Sequence, residues 1–115
     1  MVNLDRITIS IKMDGKKLEN EDFLISLCRE LAHIGRFTVL REGFVRFENQ
    51  GFTAFLVLSE SHLAIHTWPE HDIAFIDILS SKDISEEEVE NMRKHLFENS
   101  ITVLTLKKSA ENIPF

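Results

Sequence analysis

Residues 52–80 read FTAFLVLSESHLAIHTWPEHDIAFIDILS. From Phe52 to Ser59 apolar side chains fall on both faces of an extended chain, the pattern of a strand with neighbours on either side. AFIDILS (74–80) is a second strand-like run. The segment between them, LSESHLAIHTWPE (58–70), crowds Ser59, Glu60, Ser61, His62, His66, Trp68 and Glu70 directly behind the most apolar stretch of the chain. It is either a hairpin with a polar tip or a place where the chain does chemistry.

Outward from this centre the punctuation is regular. Asn49-Gln50-Gly51 turns the chain, and before it FTVL (37–40) and GFVRF (43–47) read as one interrupted strand. Phe23, Leu24, Leu27, Leu31 and Ile34 recur at helical spacing, with Asn20 as N-cap and Gly35 just past the end. Ile7, Ile9, Ile11 and Met13 alternate with Thr8, Ser10 and Lys12, a half-buried strand that stops at Asp14-Gly15. On the other side, Ser85 and Glu88 spell a capping box, and Val89, Met92, Leu96 and Phe97 mark a second amphipathic helix ending near Asn99. ITVLTLKK (101–108) closes as a strand, and the last residues are expected to form a loose tail. The order β-α-β-β-β-β-α-β, with no repeats or linkers, predicts a single α+β domain spanning 1–115. Its expected form is a two-layer sandwich, a mostly antiparallel sheet with two helices on one face. Phe52, Phe55 and Val57 supply apolar side chains for both faces, so the uncovered face is expected to meet a second subunit.

Composition narrows the function. The chain has 115 residues, 43% apolar and 28% charged, with net charge −6 and pI near 5.3. Phosphate backbones require a dense Lys/Arg surface, and the longest basic cluster here is Lys107-Lys108, so no nucleic-acid partner is expected. The lone Cys28 excludes an intramolecular disulfide and a multi-cysteine zinc site, and its helical spacing reads as core. No basic segment leads into an apolar stretch at MVNLDRITIS, and no apolar run reaches membrane-spanning length. A cytoplasmic protein with no membrane partner and no metal is expected.

A serine in a strained turn can attack the carbonyl of its own peptide bond, turning amide into ester. A base that then removes the serine α-proton breaks the chain by β-elimination and leaves an N-terminal pyruvoyl group. That carbonyl is an electron sink: it forms a Schiff base with a substrate amine and takes up the electrons released on loss of carbon dioxide. Ser61 with His66 downstream has the required residue types. By residue type alone the plain turn is the commoner reading, because serines and acids are ordinary hydrogen-bonding turn residues.

The string ESHLAIHTWPE, placed between an apolar strand and an AFID-type strand, resembles the prokaryotic S-adenosylmethionine decarboxylase family. The likeness in strand and helix order covers nearly the whole chain and is weakest at its two ends. It implies a small pyruvoyl enzyme that supplies the aminopropyl donor for spermidine. Cleavage would fall between Glu60 and Ser61, giving a β chain 1–60 and an α chain 61–115 with a pyruvoyl group derived from Ser61. In the same likeness His66 is the processing base, Thr53 stands where the family has a hydroxyl residue assisting processing, Glu70 binds the substrate ribose, and Phe47 stacks on adenine. Ser61 and His66 are five residues apart, which in a regular strand puts them on opposite faces and roughly 16 Å apart. A homodimer with active sites shared across its interface resolves that separation.

Three departures stand out. The family's proton-donor cysteine is replaced by Ser81, in SSK instead of TCG, and a hydroxyl is a far weaker acid than a thiol. LDRITIS lacks the histidine usual before the first strand, and His71-Asp72 follows WPE where aromatic and Gly residues are usual. Three readings follow: an S-adenosylmethionine decarboxylase, a pyruvoyl decarboxylase of ornithine or arginine, or an uncleaved homologue that pairs with an active paralogue.

Overall fold

The computed structural model describes residues 1–48, 50–59 and 61–115. Alternation of apolar residues builds its sheet from β1 (Val2–Lys12), β2 (Val39–Arg46), β3 (Phe52–Leu58), β4 (Ser61–Trp68), β5 (Ile73–Ser80) and β6 (Thr102–Ile113). Helical spacing builds α1 (Gly15–Leu18), α2 (Glu21–Ile34) and α3 (Glu86–Glu98). The strands lie in the order β2-β3-β4-β5-β1-β6, and every neighbouring pair is antiparallel. The α+β architecture is the one expected, with the core between helices and sheet.

One sheet face meets the helices. Ile7, Ile9 and Ile11 of β1, Leu63 and Ile65 of β4, and Ile76 and Ile78 of β5 are fully buried there. Leu24 and Leu31 of α2, and Met92 and Leu96 of α3, close the core from the other side, with Cys28 among them. Both long helices are capped as their residues suggest. Asn20 Oδ1 accepts from Phe23 N at 3.0 Å, and Ser85 and Glu88 form a reciprocal capping box.

The other face has no helix over it. Phe55 and Val57, in the middle of the sheet, are each 41% exposed, and the Phe55 ring lies over Gly43 of β2. A Cβ on residue 43 would stand 2.5 Å from that ring, so the close approach requires glycine.

Several expectations need correction. The residues after 108 are not a loose tail: β6 continues to Ile113, paired with β1 down to Val2↔Ile113. KKSAENI lacks apolar alternation because both faces of the ribbon are open there, so the strand leaves no periodic signal. β1 begins at Val2, not Ile7, for the same reason. Phe97 is 80% exposed, since it sits about 140° around α3 from Met92, off the buried stripe. Past α2 the left-handed residue is Arg36, with φ 61°, while Gly35 stays helical; a Cβ at 35 would meet the Phe37 ring at 2.6 Å. Asp14 does not merely end the first strand: its side chain caps the short α1 by accepting from Lys16 N. The interrupted strand is one strand, β2, with a register shift between Val39 and Arg41. Of the turn Asn49-Gln50-Gly51, Asn49 lies outside the described residues.

Ile76 sits mid-strand in β5 with no exposed surface. Ile76→Ala is expected to cost about 2–5 kcal/mol, read as a lower urea midpoint at unchanged slope.

Candidate active site

β3 and β4 run antiparallel with Thr53 opposite His66 and Leu58 opposite Ser61. At the Thr53 end the two strands are fastened by a side chain. Phe52 N donates to Thr67 Oγ1 at 2.9 Å, and the same hydroxyl donates to Phe52 O at 3.3 Å. Thr67 is buried on the helix face, so its neighbours His66 and Trp68 must face outward. His66 then meets Thr53 directly, Nδ1 lying 2.9 Å from Thr53 Oγ1. That bond fixes the ring orientation and leaves Nε2 as the nitrogen available to another group.

Phe47 reaches the same place from β2. Its N donates to Gly51 O at 2.8 Å, and its O accepts from Gln50 N at 3.2 Å, which folds the chain back into β3. Arg46 ties that corner to the helix layer: its Nε donates to Glu21 Oε1 at 2.8 Å and its guanidinium lies over the Phe52 ring. The result is a cleft of about 220 Å³ lined by Phe47, Phe52, Thr53, His66, Thr67 and Trp68. Three aromatic rings, two hydroxyls and an oriented imidazole suit a flat, partly polar ligand such as a nucleoside.

Glu70 lies just beyond Trp68 in a 3-10 turn, Pro69–His71, and is exposed and not part of the cleft lining. The turn is anchored from below by Asp72, whose Oδ1 accepts from Gly15 N at 3.0 Å and whose backbone carbonyl accepts from Met13 N at 3.0 Å. Asp72 has φ 58°, a conformation Asp tolerates better than most residues, so His71-Asp72 is a turn device here.

Ser61 occupies the opposite end of β4. Its register partners are Leu58 and Ser80, both buried on the helix face, so Ser61 and His66 lie at opposite ends and on opposite faces of one strand. Only residues 59 and 60 separate β3 from β4. Ser61 Oγ donates to Ser59 O at 3.4 Å; Glu60 lies outside the described residues. Ser81 follows Ser80 and is therefore close in the fold to Ser61. Its turn is held by Ser80 Oγ, which accepts from Lys82 N at 3.0 Å and donates to Lys82 O at 2.8 Å. The Lys82 ammonium points elsewhere, donating to Arg36 O at 2.9 Å above the Phe37 ring.

The chain therefore brings Phe47, Thr53 and His66 together at one end, and Ser61 and Ser81 at the other. Two residues of this geometry escape a sequence reading: Trp68, quoted but given no role, and Thr67, whose buried hydroxyl looks like any strand threonine. Among the described residues no cluster of His, Cys, Asp or Glu could hold a metal ion, and no helix is long and apolar enough to cross a membrane.

A six-stranded antiparallel sheet backed by helices has a known counterpart. The crystal structure of the adenosylmethionine decarboxylase from Aquifex aeolicus superposes with TM-score 0.71, covering 96% of this chain and 88% of that one at 19% identity. That likeness is one of fold. The family model for S-adenosylmethionine decarboxylase matches residues 9–109, and the chain belongs to that family. An S-adenosylmethionine decarboxylase proenzyme of Clostridium botulinum is 41% identical over 64 residues, 56% of this chain and 55% of the relative. The proenzyme of Pyrobaculum arsenaticum is 39% identical over 71 residues, 61% and 57% of the two chains, and that of Acidithiobacillus ferrooxidans 36% over 75 residues, 65% and 56%. The matched region spans little more than half the length of these curated relatives.

Cys28 is no part of either end. Burial in the core pushes its thiol up to about 12, which leaves about one thiol in ten thousand as thiolate at pH 8. The folded protein is expected to resist an aromatic disulfide reagent at pH 8 and to react stoichiometrically in 6 M guanidinium, read by absorbance.

Proposed function

We propose that this chain is a self-cleaving, pyruvoyl-dependent decarboxylase whose substrate is S-adenosylmethionine, working in spermidine synthesis. The observation that carries the reading is the Thr53–His66 hydrogen bond at the wall of the aromatic cleft, in a member of this family. The residues fit a group made from Ser61. This serine begins a strand with only two residues between it and the end of the neighbouring strand, its hydroxyl donates to the Ser59 carbonyl, and its backbone is held by ladders on both sides.

Ser61 Oγ attacks the Glu60 carbonyl carbon, the C–N bond breaks, and an ester with a free amine forms. His66, oriented by Thr53, takes the Cα proton of residue 61; the Oγ–Cβ bond breaks and the Glu60 carboxylate leaves. Addition of water and loss of ammonia leave the keto group. That group supplies the electron sink for decarboxylation of a bound amino acid. Phe47 and Trp68 hold the flat end of the substrate, and Glu70 accepts hydrogen bonds from a ribose. Ser81 stands where a proton would be returned, and its hydroxyl is a slow donor.

Ser61 and His66 of one chain cannot meet, so the working unit is a homodimer in which residue 61 of one copy faces His66, Thr53, Phe47 and Glu70 of the other. The open sheet face, which carries Thr53 and His66 and leaves Phe55, Val57 and Trp68 exposed, is the surface such a pair would bury, and Ser61, on the helix face at the very end of β4, reaches the partner's site around that strand end.

The purified chain is expected to resolve by intact mass into fragments 1–60 and 61–115, the second carrying a pyruvoyl end, and to release carbon dioxide from S-adenosylmethionine in preference to ornithine or arginine. Ser61→Ala stays whole, and Thr53→Val cuts at least about tenfold more slowly. An intact wild-type chain after long incubation sinks the enzymatic reading, and preference for a basic amino acid moves it to another substrate. Co-expressed Ser61→Ala and His66→Ala chains are expected to cut the His66→Ala copy within mixed dimers. Mixed dimers in which the His66→Ala copy stays whole would refute the shared site.

A further inference from the structure

On the open face a line of charged side chains crosses three strands near the Ser61 end of the sheet. His62 of β4 and Arg6 of β1 both pair in register with Leu79, while Asp77 of β5 pairs with Ala64 and Thr8. The three side chains therefore share one face, with Asp77 on the central strand and diagonal to both of its neighbours. Arg6 Nε lies 3.3 Å from Asp77 Oδ1, and His62 Nε2 lies 3.8 Å from Asp77 Oδ2. Asp77 is only 25% exposed, and its Oδ1 is buried without a hydrogen-bond partner. The carboxylate thus depends on its two basic neighbours for compensation.

A cross-strand ion pair of this kind adds little to stability. Its place in the chain gives it a different use. While the chain is continuous, residue 61 is held from both sides. Once the 60–61 bond opens, residue 61 becomes a chain end, and chain ends fray unless something ties them down. His62 is the first side chain behind that end.

We infer that Asp77, held by Arg6, is a positioning residue that pins His62 and thereby keeps the cut end of the chain, residue 61, in place during turnover. The inference rests on the reading of Ser61 as the cut site. Before the cut, covalent continuity does this work, so the clamp matters for turnover and not for cleavage. Two further cations share this face, each one strand removed from the group it could compete with: Arg41 of β2 pairs with Val57, which lies opposite His62, and Lys107 of β6 pairs with Thr8, which lies opposite Asp77.

The test uses the full chain with Asp77→Asn, Asp77→Glu, His62→Gln and the Asn/Gln double variant. Asp77→Asn is expected to cleave within about twofold of wild type, while kcat for carbon dioxide release from S-adenosylmethionine falls about tenfold and KM moves less than about threefold. Asp77→Glu regains most of that loss, and the double variant is no slower than either single one. Wild-type kcat in Asp77→Asn, or losses that multiply in the double variant, overturn the inference. A second readout separates it from the cut itself. In uncleaved Ser61→Ala protein, adding Asp77→Asn should shift the His62 ring signals in the NMR spectrum, and unshifted signals overturn the clamp. A wild-type chain that never cuts overturns the reading of Ser61, and with it the role at the chain end.

Discussion

Alternation along β4 is the constraint on which the rest of the structure depends. Leu63, Ile65 and Thr67 must enter the helix-side core, so His62, Ala64 and His66 must stand on the other face. A slip of one residue would put two imidazoles into an apolar core and two large aliphatic side chains into the open. The Thr67 hydroxyl, bonded to both polar backbone groups of Phe52, guards against that slip at the strand's far end. The separation of Ser61 from His66 is a by-product of this burial pattern, and no adjustment within one chain removes it.

Much of this was legible in the residues because core and period coincide. The apolar parts of five strands, the two long helices and both of their N-caps follow from apolar spacing and from Asn20, Ser85 and Glu88, whereas β4 lies in the stretch whose polar residues read as a hairpin tip or a reactive site. What could not be read is what burial does not impose. The outer halves of β1 and β6 are paired to each other but packed against nothing, so polar residues such as Lys107, Ser109 and Asn112 serve there as well as apolar ones. Phe97 misleads for the converse reason, being a large apolar residue just off the buried stripe. The cleft was half legible. A long specific string pointed to His66 and also to Glu70, which lies outside the cleft lining, and Phe47 and Thr53 could be placed from the likeness. Thr67, Trp68 and the partners of Asp77 depend on cross-strand register, which a single sequence does not reveal.

The open face is the least settled part of the fold energetically. Large apolar side chains such as Phe55 and Val57, exposed on a sheet face with no helix over it, are what a second sheet would cover. Each 100 Å² of apolar surface removed from water there would contribute about 2.5 kcal/mol before the cost of association. The same covering would dry the aromatic cleft and strengthen the electrostatic hold of Asp77 on its neighbours.

The strand order has a consequence for a chain cut after residue 60. Residues 1–60 would contribute β1, β2 and β3, and residues 61–115 would contribute β4, β5 and β6. In the order β2-β3-β4-β5-β1-β6, the first fragment's β1 lies between two strands of the second. The two pieces are interleaved like the fingers of clasped hands. Separating them means tearing β1 from both β5 and β6, and β3 from β4. A nick that would halve a sequentially layered fold leaves this one a single body, held by the same ladders that folded it.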